Sequence, residues 1–133
     1  MAESGVFQSL TFKSAEDLSA KRYHIVVASG SAFGEINPTI GQALAATNTN
    51  IVGVLVTDPS SAQFGTVVYD GKCKVTAGGA ITVGVTITTN GSGRAAAAAS
   101  GDMVIGRALE AGVTDGDVIT AKIGPIYRHM GPV

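Results

Sequence analysis

The sequence predicts an all-β chain, a small β-barrel or compact β-sandwich, and three observations carry that expectation. Gly, Ala, Thr and Val dominate the 133 residues, while only 14% are charged and 45% are apolar, a balance that leaves little material for the exposed faces of helices. Short β-branched runs alternate with turn residues at near-regular spacing. The unit Gly-x-β-β also recurs, as Gly65-Thr66-Val67-Val68, Gly84-Val85-Thr86-Ile87 and Gly116-Asp117-Val118-Ile119. Each is a glycine that lets the chain turn sharply, followed by the start of a strand.

Along the chain, residues 1–20 form an N-terminal arm, 21–123 the β-domain and 124–133 a C-terminal extension. The arm carries Val6, Phe7, Leu10 and Phe12 without clean helical or alternating spacing, so it either folds back on its own domain or docks elsewhere. Its deletion is expected to weaken assembly more than it lowers the melting temperature. "YHIVVAS" is the first strand, followed by a long loop over 30–50 that is rich in Gly, Asn, Pro and Thr. "IVGVLVTDP" is the next strand, stopped by Asp58-Pro59, because proline cannot donate to a sheet. Asp70-Gly71 within "GTVVYDGKCKV" predicts a two-residue hairpin, since both positions tolerate positive φ.

In "ITVGVTIT", Ile81, Val83, Val85 and Ile87 fall on one side, with Gly84 marking a turn or bulge. The five alanines Ala95–Ala99 follow the turn Asn90-Gly91-Ser92-Gly93. Alanine has the highest helix propensity, but a run this short cannot stand as a helix in water, so it is read as the returning strand of a hairpin. "MVIGRALEAG" and "DVITAKIGPIYR" are the last two strands, separated by "AGVTDG". A longer internal repeat is visible too. "IVGVLVTDPSSAQFGTVVYDGKCKV" and "VIGRALEAGVTDGDVITAKIGPIYR" both run from a β-branched pair through Gly and a turn to Gly-x-β-β.

Little in the chain points to catalysis or to a cofactor. The acids sit mostly at turns or in the arm, where Asp bonds nearby backbone amides. His24 and His129 are far apart and lack a Cys or His at zinc-ligand spacing. "GSGR" lacks the rest of a phosphate loop, and no Gly-x-Ser-x-Gly elbow occurs. Cys73, the single cysteine, reads as a small strand residue. With net charge −1 and scattered cations, a nucleic-acid partner is not expected. No apolar run is long enough to suggest a membrane span or an export signal. Candidate contact residues are Phe7, Leu10 and Phe12 of the arm, Phe33 of the loop, and Tyr127 and Arg128 of the extension, the last two being typical of contact surfaces.

The succession "DLSAKRYHIVVAS", "IVGVLVTDP", "GKCKVTAGGAITVG", "TTNGSGRAAAAASGDMVIGRALEAG" and "DGDVITAKI" resembles the small capsid decoration (cement) proteins of tailed bacteriophages over residues 17–123. Gly84-Val85 stands where that family often has Gly-Asp, the 30–50 loop is longer, and residues 124–133 run past the usual end. These departures are candidates for capsid-specific or protomer contacts. The resemblance implies a structural virion protein, made in the host cytoplasm, that binds the outside of an assembled capsid. Its partners would be the major capsid protein and itself, as a homotrimer at three-fold or quasi-three-fold positions that stabilises the shell. It implies no enzyme activity and no cofactor. The competing reading is a ligand- or glycan-binding β-module, which usually uses exposed aromatics as sugar platforms; this chain has no Trp and three Tyr.

Overall fold

The computed structural model describes residues 7–28, 39–43, 45 and 50–128. Nine strands account for its regular structure: β1 Phe7–Ser14, β2 Ile25–Ala28, β3 Thr39–Gln42, β4 Ile51–Leu55, β5 Phe64–Thr76, β6 Thr86–Thr89, β7 Ala95–Ala97, β8 Met103–Ala108 and β9 Val118–Arg128. Among the described residues there is no helix.

Five of these strands close on themselves. β1 pairs parallel with β3 and antiparallel with β5, and β3–β2, β2–β4 and β4–β5 complete the ring with antiparallel ladders. Closure removes the sheet edges that would otherwise be left unpaired. β5 then runs beyond the barrel to pair with β9, and the sheet continues β9–β8–β6–β7.

The two-residue period of a strand sends alternate side chains to opposite faces, and here both faces are used. Val26, Ile40, Leu55 and Val67 fill the barrel with Leu18, and Phe12 packs against them. Their neighbours Ile25, Val27 and Val54 point the other way, into a second core with Val75, Ile87, Ile105, Ile119 and Ile123 of the outer sheet. Burial on both faces explains why "IVV" and "VL" read as unbroken apolar runs instead of alternating ones.

The internal repeat corresponds to two strand pairs of the same plan, β4 with β5 and β8 with β9. Its first glycines, Gly53 and Gly106, are close-approach positions. A Cβ on Gly53 would collide with the Val68 carbonyl oxygen of β5, and one on Gly106 with the Lys122 carbonyl oxygen of β9.

Several expectations need correction. Residues 7–14, read as part of an arm, are a barrel strand whose ladder with β5 runs from Phe7↔Gly71 to Lys13↔Phe64. Leu10 and Phe12 lie two apart, opposite Val67 and Gly65, with Ser9, Thr11 and Lys13 on the alternate positions, a strand period of only two apolar residues. The 30–50 loop contains a strand, β3, whose Gly and Thr content masked it.

Asp70-Gly71 is not a hairpin: β5 passes through it without reversing. There the ladder to β1 shifts register, with Ser9 opposite Val68 and Gln8 opposite Asp70, and Gly71 at φ +114° faces both Phe7 of β1 and Ile123 of β9. The residue skipped at the shift is Tyr69, and Gly71 takes its positive φ within the strand, because partners on both sides hold the chain in the sheet. Residues 124–128, assigned to the extension, continue β9, with Tyr127 opposite Val104.

Other expectations hold. Gly84 sits at φ +90° in a turn before β6. The alanine run returns after the Asn90 turn with Ala95 opposite Thr89 and Ala97 opposite Ile87.

Candidate functional site

The sequence-derived contact residues do not converge. Phe7 begins β1 opposite Gly71, and Leu10 on the same strand is half exposed. Phe12 is drawn into the barrel core. Phe33 lies outside the described residues. Tyr127 is half exposed on β9, and the Arg128 guanidinium donates to the Gly101 carbonyl at 2.8 Å, bracing the loop before β8.

Around Tyr127 the fold makes a feature that composition alone did not reveal. The outer face of the β6–β8–β9 sheet carries an open hollow of about 220 Å³, lined by Val104, Gly106, Leu109, Gly124, Pro125 and Tyr127, with Arg107 and Lys122 beside it. Gly106 and Gly124 belong to its lining. Gly106 is a glycine because β9 backbone lies where its Cβ would be. Gly124, at φ +83°, is a glycine because its Cβ would approach the Tyr69 carbonyl oxygen to 2.8 Å. The signal that could have marked the hollow was the pair of glycines in "VIGRAL" and "KIGPIY", on the adjacent strands β8 and β9, where Gly106 lies opposite Ile123, the neighbour of Gly124.

The charges at the hollow are unequally satisfied. Lys122 Nζ donates to Asp70 Oδ1 at 3.2 Å and to the carbonyls of Ile123 and Gly124 at 3.1 Å. Arg107 Nη1 donates to the Gly84 carbonyl at 2.9 Å, and no carboxylate among the described residues lies within ion-pair distance of it. Leu109 (47% exposed) and Tyr127 (45%) form apolar walls.

Just beyond Leu109, the 113–117 turn is held by one carboxylate. Asp117 Oδ2 accepts the backbone N–H of Val113 and of Thr114, each at 2.9 Å, and these bonds hold the Asp117 carboxyl below its usual range. Val113 stands out from this turn at 78% exposure.

The buried titratable groups have structural partners. Arg94 Nε donates to His24 Nε2 at 3.3 Å, which leaves Nδ1–H to donate to the Arg22 carbonyl at 3.1 Å. Arg94 also pairs with Asp115 at 2.7 Å. Desolvation lowers the His24 pKa, opposed by the Arg22 carbonyl and reinforced by the charges of Lys21 and Arg94. Burial pushes the Cys73 thiol up to about 12, so near neutrality it stays protonated and is not a nucleophile. Among the described residues, no three His, Cys, Asp or Glu side chains gather as metal ligands. The arrangement suits contact with another surface.

No family model and no curated protein matches this chain. Among solved structures, the N base of the head fiber gp8.5 of bacteriophage phi29 matches with TM-score 0.65 at 22% identity, covering 91% of this chain and 97% of that one. The two chains share a fold. Coverage that wide takes in the outer sheet as well as the barrel, so the likeness to the head fiber base extends to the elements that carry the hollow.

Proposed function

We propose that this chain is a structural protein of a bacteriophage virion that docks on the outer surface of the assembled head and stabilises it. The observation that carries this reading is the near end-to-end likeness to a head fiber base, which agrees with the five sequence segments that resemble capsid decoration proteins. The partners are the major capsid protein and further copies of the chain, assembled as a trimer at three-fold or quasi-three-fold positions. A weakly charged surface with exposed Leu109, Val113 and Tyr127 supports association, and several modest contacts made together add by avidity.

The test is co-sedimentation with heads of the parent phage that lack the protein. Saturable binding is expected, together with a higher temperature of head disruption. Absence of binding overturns the proposal. Capture on a glycan array without head binding would favour the carbohydrate-binding alternative.

A further inference from the structure

The hollow on the outer sheet is concave and flanked by a cation, and the 113–117 turn presents a protruding apolar side chain beside an acid. One is a concave apolar site beside Arg107, a cation without a carboxylate partner among the described residues. The other presents an exposed Val113 on a turn that carries Asp117, an acid without a cation partner among the described residues. A cavity of about 150 Å³ is enough to take a benzene ring, so a hollow of about 220 Å³ has room for a branched aliphatic side chain.

The turn is already ordered. Asp117 caps it, Gly116 N donates to the Ala77 carbonyl at 2.8 Å, and Asp115 is tied to Arg94. Little conformational freedom is therefore lost when it docks, and pre-organised contacts of this kind retain most of their binding energy.

We infer that Val113 of one copy inserts into the Leu109–Tyr127 hollow of a second copy, with Asp117 of its turn facing Arg107. The contact joins different surfaces of the two partners, so its repetition builds a closed ring when the rotation between copies closes. This rests on the self-association in the proposed function and specifies its interface.

The experiment uses the full chain and two single variants at exposed positions, Val113→Asp and Leu109→Glu, in sedimentation velocity over a concentration series. Melting curves confirm that each variant is folded, and Phe64→Ser on the barrel, where the side chain is 60% exposed, serves as control. Each groove or turn variant alone should associate at least roughly tenfold more weakly than the wild type, a loss typical of a central apolar contact. An equimolar mixture should recover a one-to-one complex, because the Leu109→Glu copy keeps an intact turn and the Val113→Asp copy an intact hollow. The control should behave as wild type.

Wild-type association by both variants, or a mixture that stays monomeric, overturns the interface while leaving self-association standing. A wild-type chain that is monomeric throughout overturns both but leaves head binding untouched. If Leu109→Glu associates normally and loses only head binding, the hollow receives the capsid instead, and the inference falls.

Discussion

His24 is buried where the 90–94 turn meets the start of β2, and its ring joins parts of the molecule that are distant in sequence. Gly93 accepts from Ile25 N at 2.7 Å beside it, so Arg94 and His24 reinforce a joint between the barrel and the outer sheet. A protonated ring cannot accept from Arg94 and would face a guanidinium instead. With the folded-state pKa lowered, the unfolded chain takes up the proton first. Stability from this group is therefore full above the ordinary histidine pKa of about 6.5 and falls as pH drops through and below it. Urea midpoints should decline between about pH 7.5 and about pH 5, and His24→Gln should flatten that slope. An equal slope in the variant would remove His24 as its source. Two alanines of β7 give a second test at this scale. Ala95 is fully buried in the second core, whereas Ala97 is exposed. Ala97→Glu should shift stability by less than about 0.5 kcal/mol, while Ala95→Glu should cost about 3 kcal/mol or more; thermal or urea melts distinguish them.

Among the elements, β1 carries the largest consequence. It is the strand that closes the barrel, bonded to β3 on one side and β5 on the other. Removing residues 1–14 exposes the edges of both and uncovers the core that Phe12 packs against. The truncated chain is expected to melt well below the full-length protein or to aggregate, reversing the expectation that the segment serves assembly more than stability. A truncation that melts normally and only loses head binding would restore the arm reading. The β6–β7 hairpin was legible because its signals are local: Asn90 Oδ1 accepts from Ser92 N and Arg94 N, so the turn supplies its own bonds. Asp70-Gly71 misled because a glycine can take positive φ inside a strand as well as in a hairpin, and only the partner strands decide between them. β3 was hidden for a related reason, since Thr39-Ile40-Gly41-Gln42 places one large apolar side chain, Ile40, in the barrel.

Across the whole molecule, two cores share the strands that separate them. Val54 faces the second core and the adjacent Leu55 faces the barrel, both fully buried. Truncating either, as Val54→Ala or Leu55→Ala, should cost roughly 2–4 kcal/mol. Both should lower one common transition when barrel and sheet are monitored by separate probes, because strands that serve two cores couple them. Two separated transitions would show that the cores unfold independently.

Sequence alone determined the all-β class, the glycine-punctuated strands, the Asn90 hairpin and the paired repeat, because strand periodicity and turn chemistry act over a few residues. It also named Tyr127, which lines the hollow, as a candidate contact residue. Only the tertiary structure decided that β1 closes a barrel, that β5 runs straight through Asp70-Gly71, and that β6, β8 and β9 shape a hollow beside Arg107. Those outcomes depend on which distant segments pair, and local propensity carries no term for a partner dozens of residues away.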